Sequence, residues 1–460
     1  MRARGCAILL ACLGTTLALG LVAGAATTVQ APSFAAATIY TASEGAGAVA
    51  LGDLNGDGRP DVAVANSFDG EIQDAGSVSV RLNRGDGRLR PRRDYRTGSG
   101  PLAVALGDLN GDGRPDLVTG NGGTGEFLNT VSVLLNKGDG SFGAGHDYEV
   151  GFVPRSVAIG DLNGDGKADV VTANDDDHTV SVLLNAGDGT FEARRAYPVG
   201  ARPAEASERP DSIAIADLNG DGKPDLVTDT SPPSVLLNRG DGSFETSDVP
   251  ATSGDAVAAA DLNGDGKLDL AIAHGGDYSA KISVLLNRGD SSFGSSRAYG
   301  IAGGDVSPIA VADLNGDGLP DLATATGRVA VLLNRGDGSF APSLAYPAGA
   351  GAQAVALGDL NGDGRADLVS TTSIEAEIGS NNVYVRINKP GLCNVQDVRR
   401  MTLPAARETI ALAHCAVGRV SSAYSKAVRK GRVISQAPGF GRVLPGGAKV
   451  NLVVSRGTRR

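Results

Sequence analysis

The chain has 460 residues, of which 41% are hydrophobic, so it can bury a sizeable core and wholesale disorder is excluded. Its 66 Gly follow no three-residue period, which excludes collagen, and with 10 Phe, 9 Tyr and no Trp they favour short strands and many turns. The formal net charge of -10 is uneven, because residues 391–460 hold 13 Lys and Arg against 2 Asp and Glu, a balance of +11 that leaves -21 for residues 1–390. Such asymmetry indicates parts with different partners or bound ions.

The N-terminus has the order of a secretory signal. Basic residues at Met1-Arg-Ala-Arg precede an apolar run and the small residues Ala23-Gly24-Ala25, which predicts a signal peptide over residues 1–25. An uncleaved anchor and lipid attachment at Cys12 are the alternatives. No later stretch reaches the ~18 apolar residues of a membrane span, so we expect an exported protein with no transmembrane span after cleavage.

One motif recurs through the next part of the chain. Asp-Leu-Asn-Gly-Asp-Gly-x-x-Asp occurs seven times, starting at Asp53, Asp108, Asp161, Asp217, Asp261, Asp313 and Asp359. Each copy lies among four short apolar segments separated by Gly, Asn and Asp turns, with no helix-length amphipathic pattern between them. This repeated order of segments and turns predicts an all-β fold, a seven-bladed β-propeller over residues 26–390 with four strands per blade.

The two ends of the repeat array predict how it closes. In four copies the fourth segment carries an aromatic pair six residues apart, such as Phe142 and Tyr148, and a fifth copy has the variant Leu89 and Tyr95. The seventh copy lacks this segment, but Phe34 and Tyr40 show the same spacing near the N-terminus. We therefore expect the strand over residues 33–42 to complete the last blade and close a ring. An open solenoid is the alternative.

The motif has the spacing of a metal-binding loop. Asp53, Asn55 and Asp57 stand at positions one, three and five, Gly58 at position six permits a left-handed turn, and Asp61 stands at position nine. Oxygen donors of this kind select Ca²⁺ over zinc or copper. The bidentate Glu that an EF-hand carries at position twelve is missing, for that position is Val64 in the first copy.

These loops, with the Val-Ser-Val-Leu-Leu-Asn strands and Gly-Asp-Gly-Ser-Phe turns that follow, resemble the FG-GAP/VCBS repeats of bacterial secreted proteins and integrin α-subunit propellers. The resemblance implies up to seven structural Ca²⁺ ions, since clustered carboxylates destabilise folding unless a cation bridges them. An Asn/Gly-rich turn without metal is the alternative. The implied ligands are Asp53, Asn55, Asp57, Asp61, Asp108, Asn110, Asp112, Asp116, Asp161, Asn163, Asp165, Asp169, Asp217, Asn219, Asp221, Asp225, Asp261, Asn263, Asp265, Asp269, Asp313, Asn315, Asp317, Asp321, Asp359, Asn361, Asp363 and Asp367.

The basic C-terminal part predicts a separate small domain over residues 391–457, with a basic tail at 458–460. A helix start at Thr402, with strand-like runs around it, predicts a small β-α-β-β unit. Cys393 and Cys415 are the two cysteines outside the signal, and we expect a disulfide between them in an oxidising compartment.

The run from Lys430 to Gly439, Lys-Gly-Arg-Val-Ile-Ser-Gln-Ala-Pro-Gly, together with Ala413-His-Cys-Ala-Val-Gly418, resembles a PASTA domain, the wall-sensing module of bacterial kinases and penicillin-binding proteins. Gln396 and Arg400 depart from the pattern, standing where the family usually has Pro and Gly. The resemblance implies muropeptide binding, and the +11 balance favours wall glycan or another anionic envelope polymer. A purely structural C-terminal cap is the alternative.

Together these features predict an exported, cell-wall-associated calcium-binding scaffold or binding protein, secreted and not partnered with nucleic acid. Long connections of variable sequence share one face of the propeller, where we expect an unknown protein or carbohydrate ligand. No serine elbow, reactive thiol, phosphate loop or histidine cluster is found, so we expect no enzyme activity. The alternative is an envelope enzyme acting on glycan or lipid at the variable face.

Overall fold

The computed structural model describes residues 31–67, 76–122, 129–200, 209–249, 254–276, 280–304, 306, 308–349, 351–372 and 381–458. The predicted signal peptide lies outside these residues. Across the described ranges the chain forms seven four-stranded antiparallel sheets, followed by a small domain with a single helix. The all-β repeat architecture that the sequence predicts is confirmed.

Each sheet is one blade, in which an inner strand, a second, a third and an outer strand follow in order. Blade 1 contains Ala46–Gly52, Asp61–Asn66, Gly76–Arg81 and Arg93–Thr97; blade 2 contains Pro101–Gly107, Asp116–Gly122, Asn129–Leu134 and His146–Glu149; blade 3 contains Pro154–Gly160, Asp169–Asn174, Thr179–Leu183 and Arg195–Pro198. Blade 4 contains Ile213–Ala216, Asp225–Thr228, Ser234–Asn238 and Phe244–Asp248; blade 5 contains Ala256–Ala260, Asp269–His274, Lys281–Leu285 and Arg297–Gly300. Blade 6 contains Ala310–Ala312, Asp321–Ala325, Val329–Leu332 and Leu344–Tyr346; blade 7 contains Ala352–Gly358, Asp367–Thr372, Asn382–Arg386 and Thr38–Thr41.

The core lies between the blades. Second and third strands such as Asp61–Asn66 and Gly76–Arg81 are buried along their whole length, because both faces of each sheet are covered by its neighbours. Val80 of blade 1, for example, shares one hydrophobic cluster with Leu117 and Leu134 of blade 2. Small and β-branched side chains fill these layers, which explains how a chain with few aromatics packs densely.

The ring is closed by the N-terminal strand. Thr38–Thr41 is the outer strand of blade 7 and pairs antiparallel with Asn382–Arg386, Thr38 opposite Val385. The inner strands of successive blades contact one another in order, and that of blade 7 contacts that of blade 1, which excludes the open solenoid. These inner strands surround a central cavity of ≈ 460 Å³.

The aromatic pairs link neighbouring blades. Tyr148 on the outer strand of blade 2 meets Phe191 of blade 3 edge to face, with ring centroids 5.2 Å apart. The same contact joins Phe34 of the N-terminal segment to Tyr346 of blade 6, at 4.8 Å. Phe34 therefore takes the place that an aromatic residue of the seventh repeat would otherwise fill.

Two faces of the propeller follow from this strand order. The acidic-loop face carries the loops between inner and second strands and the Gly-Asp-Gly turns between third and outer strands. The opposite face carries the starts of the inner strands and the ends of the second strands, with the longer connections. Large parts of those connections lie outside the described residues.

The C-terminal domain consists of strands Leu392–Asn394, Ala416–Ala423, Val433–Ala437, Val443–Pro445 and Lys449–Ser455 around helix α1, Leu403–Leu412. Thr402 caps the helix, as its position predicts. A short strand, Val443–Pro445, which the sequence pattern does not reveal, pairs with the first strand. Cys393 and Cys415 form the predicted disulfide, with an S–S distance of 2.01 Å.

Candidate functional site

The seven acidic loops share one conformation on the acidic-loop face. In the first loop both oxygens of Asp53 accept backbone N–H groups, from Asp57 at 3.0 Å and from Gly58 at 2.7 Å. Gly56 and Gly58 have φ angles of 74° and 80°, a region that L side chains rarely adopt. The loop therefore wraps around the carboxylate of position one.

The carboxylate of position nine occupies a different environment. Asp61 begins the second strand and is completely buried. Its Oδ2 accepts the N–H of Leu54 at 3.1 Å, and its Oδ1 accepts the N–H of Asn83, just after the third strand, at 2.7 Å. Both bonds recur in the other six blades, at Asp116, Asp169, Asp225, Asp269, Asp321 and Asp367. Position nine is thus a structural anchor as well as a candidate ligand.

Burial disfavours the charged form of these anchors. It raises the pKa of Asp61 to about 6 and that of the more deeply buried Asp321 to about 8, against the lowering effect of the two backbone hydrogen bonds. The neighbouring carboxylates of positions five and one raise the pKa further. A bound cation would remove both penalties, because it stabilises carboxylates in their charged form.

The predicted ligands are brought together only in part. Positions one, three and five of a loop lie on its exposed turn, where the Oδ1 of Asn55 accepts the N–H of Asp57 at 3.0 Å, while position nine lies buried beneath. Among the described residues no three Asp, Glu, His or Cys side chains form a group that could hold a metal ion. The fit to calcium therefore rests on donor chemistry, since the loop offers only carboxylate, amide and carbonyl oxygens.

An asparagine after each third strand connects the loops to one another. Asn136 of blade 2 donates its backbone N–H to Asp116 and its side-chain Nδ2 to two carbonyls, of Pro115 in its own loop and of Leu54 in the loop of blade 1, both at 2.9 Å. The bond to the preceding blade recurs around the ring at 2.7 to 3.0 Å. We call these seven residues the asparagine pins: Asn83, Asn136, Asn185, Asn238, Asn287, Asn334 and Asn388.

Sequence reasoning assigned no role to these pins, although the signal was present. Every copy of the Leu-Leu-Asn segment and its variants ends in Asn, where turn chemistry alone would also accept Asp, Ser or Gly. The side chain needs an amide because its nitrogen donates two hydrogen bonds while its oxygen accepts the N–H of the turn, as Asn136 does from Gly138 at 2.8 Å.

The C-terminal domain packs against blades 6 and 7. The side chain of Asn394 bonds both backbone groups of Phe34, each at 2.8 Å, and Gln396 accepts the N–H of Ala345 at 2.6 Å. Arg400 has a φ angle of 64°, in the left-handed region that favours glycine. Of the two departures from the PASTA pattern, Gln396 thus serves to join the domain to blade 6. Arg400 adopts the left-handed backbone conformation for which the family usually has Gly.

In the described part of the chain no helix is long and apolar enough to cross a membrane.

Three solved structures are similar to part of this chain. An Agrocybe aegerita lectin, described as recognising non-reducing terminal N-acetylglucosamine, is 24% identical over 65% of this chain and 79% of the lectin, with a TM-score of 0.46. A periplasmic gluconolactonase from Pseudomonas aeruginosa is 17% identical over 65% of this chain and 84% of its own, with a TM-score of 0.45. The Photorhabdus luminescens Tc holotoxin pore is 20% identical over 78% of this chain and 15% of its own, with a TM-score of 0.34.

Two family models match the chain and together span most of it. The FG-GAP-like repeat matches residues 53–119, 121–172, 161–228, 226–272, 261–324 and 313–370, and the PASTA domain matches residues 394–456. Both resemblances inferred from the sequence are confirmed. The chain belongs to the FG-GAP-like repeat proteins and carries a PASTA domain at its C-terminus.

Proposed function

We propose that this protein is an exported, calcium-binding propeller that attaches to the bacterial cell wall through its PASTA domain and acts as a binding scaffold, not as an enzyme. The observation that carries the proposal is the PASTA domain itself, a peptidoglycan-related module with a charge balance of +11 over residues 391–460. Wall glycan and its associated anionic polymers complement such a charge.

The domain interface supports a rigid connection. Besides the bonds of Asn394 and Gln396, Glu408 on α1 lies 3.6 Å from Arg335 of blade 6, and the guanidinium of Arg328 stacks 4.1 Å above the ring of Phe440. Contacts of this kind orient one domain against the other, whereas a flexible linker would leave them independent. A propeller held in this way would keep one orientation relative to the wall.

The exposed surface beside one edge strand of the PASTA domain carries positive charge. Strand Ala416–Ala423 lies at the edge of its sheet and is exposed along its second half. Arg419, Lys426 and Arg429 are exposed on this side, and Arg456 stacks 5.7 Å above the exposed ring of Tyr424. An aromatic ring beside several cations fits an anionic glycan, because the ring packs on sugar carbons while the cations meet carboxylates or phosphates.

The acidic loops serve the fold in this proposal. The position one, three, five and nine side chains of each loop would hold Ca²⁺, which supplies positive charge among carboxylates that otherwise repel one another. The loop backbone already presents these side chains, and the asparagine pins connect each loop to the next blade. Calcium would then stiffen the ring that carries the ligand-binding face.

The test is retention of full-length protein on purified peptidoglycan sacculi in calcium-containing buffer. A triple variant, Arg419→Glu, Lys426→Glu and Arg429→Glu, should lose most of its retention, because three cations become anions on the proposed contact surface. The matched control makes the same charge change at exposed positions of blade 1, Arg84→Glu, Arg90→Glu and Arg96→Glu. Equal retention of the two variants would reject the PASTA domain as the wall-binding part.

A further inference from the structure

Blades 3 to 5 break the repeat at the opposite face. In the sequence, the residue six positions before each acidic motif is Gly47, Leu102, Ser307 or Gln353 in repeats 1, 2, 6 and 7, but Arg155, Asp211 or Asp255 in repeats 3, 4 and 5. The residue twelve positions after each motif start is Ala65, Gly120, Ala173, Ala273, Ala325 or Thr371 in six blades, but Asp229 in blade 4. Charged residues thus replace small or neutral ones in one sector.

The charged residues of this sector contact one another across two blades. The Nε of Arg155 lies 2.6 Å from Oδ2 of Asp175 and 2.9 Å from Oδ1 of Asp211. Arg209 approaches the other oxygen of Asp175 at 3.4 Å and reaches Asp176 at 3.1 Å. The side chain of Asp175 is 2% exposed, whereas that of Asp211 is 39% exposed and faces solvent.

Asp229 lies behind Asp211 and is only partly satisfied. It is 1% exposed, and its Oδ1 accepts the backbone N–H groups of Asp211 at 3.0 Å and Ser212 at 3.1 Å. Its Oδ2 has no hydrogen-bond partner anywhere in the described chain. Because four other blades place Ala at this position, the fold does not require a carboxyl here, and a buried polar atom without a partner calls for another explanation.

The sector contains more acid than base. The carboxyls of Asp175, Asp176 and Asp211 pair with the two guanidiniums of Arg155 and Arg209, and those of Asp229 and Asp255 lie near Asp211. Burial, followed by the charges of Asp175 and Asp255, raises the pKa of Asp211 to about 6 in spite of Arg155. Burial raises the pKa of Asp229 well above its ordinary value. Even with Asp229 neutral, four carboxyls remain against two guanidiniums, so the sector has room for a further cation.

The neighbouring cavity indicates which cation would fit. Ser156 and Ser212, adjacent to Arg155 and Asp211, line the central cavity of ≈ 460 Å³, and the rest of its lining is almost entirely aliphatic. An ammonium group needs hydrogen-bond acceptors and no coordination shell, and its carbon chain would bury apolar surface in the cavity.

We propose that the mouth of the central cavity at blades 3 to 5 binds an aliphatic primary amine, such as a diamine or a lysine-like side chain. The ammonium donates to the exposed carboxylate of Asp211, Asp229 behind it holds the backbone of Asp211 and Ser212 in place, and the carbon chain enters the cavity between the inner strands. This site is independent of the wall contact proposed for the PASTA domain, and the two succeed or fail separately.

Calorimetric titration of full-length protein with cadaverine, in buffer containing excess calcium, tests the proposal. One molecule should bind, Asp211→Asn should weaken binding about tenfold or more, and methylammonium and pentanediol should each bind more weakly than cadaverine. Asp229→Ala should also weaken binding while the protein stays folded, since Ala stands there in four other blades. The matched control is Gln353→Ala, at the same exposed position of blade 7, and should bind as the unaltered protein does.

Several outcomes would overturn the proposal. Absence of cadaverine binding to the unaltered protein, or equal binding by Asp211→Asn, removes the site. Displacement of cadaverine by a further rise in calcium would assign the cluster to a metal instead. A loss of binding in Gln353→Ala equal to that in Asp211→Asn would place the amine elsewhere around the cavity mouth.

Discussion

At the scale of single residues, the asparagine pins connect the loops of neighbouring blades. Asn185 donates one N–H of its amide to Leu109 in blade 2 and the other to Ala168 in its own loop, at 2.8 and 2.7 Å. The side chain is 3% exposed, so water cannot replace it without rearrangement. One amide therefore holds two loops that stand more than fifty positions apart in sequence.

We expect Asn185→Ala to lower the free energy of unfolding by about 2 kcal/mol, because two buried carbonyls and a turn N–H lose their partner. Thr190→Ala, in the same turn but exposed, should cost less than about 0.5 kcal/mol. Urea titration followed by circular dichroism measures both. Equal midpoints for the two variants would show that the pins contribute no stability.

The contacts of residues such as Asn185 could not be predicted from the sequence. The motif spacing identified every loop, and the missing aromatic pair of the seventh repeat identified Phe34 and Tyr40. The partner of Asn185 is a carbonyl of the preceding repeat, and the partner of Gln396 is a backbone N–H of blade 6, so neither is visible without the packing of distant segments. The burial of Asp61 likewise follows from the stacking of blades and not from its spacing within a loop.

At the scale of the strand, side-chain hydrogen bonds hold the N-terminal segment in addition to its backbone pairing with Asn382–Arg386. Arg386 of blade 7 donates to the carbonyl of Ala35, and Arg81 of blade 1 donates to that of Thr41. The hydroxyl of Tyr40 accepts the N–H of Leu89 at 2.9 Å. Blades 1, 6 and 7 thus all contact this segment, which fits its task of closing the ring where no covalent connection does so.

Phe34→Ala should cost about 3–5 kcal/mol, since Phe34 is fully buried against Tyr346. Because blade 7 receives its outer strand from the far end of the chain, hydrogen exchange of Thr38–Thr41 should accelerate more than exchange elsewhere. The matched variant Phe142→Ala removes the same contact from blade 2, whose outer strand is covalently continuous with its own blade. Local acceleration of equal size in both variants would contradict a special role for the closing strand.

At the scale of the whole molecule, the charge distribution sets the requirement for calcium. Residues 1–390 carry a balance of -21, and much of it is concentrated on one face in seven loops with three carboxylates each. Without a cation, burial raises the pKa of the position-nine carboxyls and so favours their neutral form, which limits repulsion among the loops. With a cation, the same carboxyls must be ionised, so metal and proton compete for one set of groups.

This competition predicts opposite pH dependences. The pKa values of the position-nine carboxyls are raised in the folded protein, so the native state binds more protons than the unfolded state and metal-free protein should lose stability from about pH 4 to pH 8. Calcium-loaded protein should become more stable over the same range, because ionised loops bind the ion more tightly. At pH 7.5 the two melting temperatures should differ by about 10–25 °C, as several ions at about a hundred times their Kd would each add ~2.7 kcal/mol.

Scanning calorimetry from pH 4 to pH 8, on dialysed metal-free protein with and without added calcium, measures both curves. Magnesium at the same concentration serves as the control, since it dehydrates reluctantly and is seldom bound by protein oxygens alone. Coincident curves would show that the loops are held by their own hydrogen bonds, as the contacts of Asp53 and Asp61 already allow in part. Diverging curves would show that the acidic face of the ring depends on the ion for its stability at neutral pH.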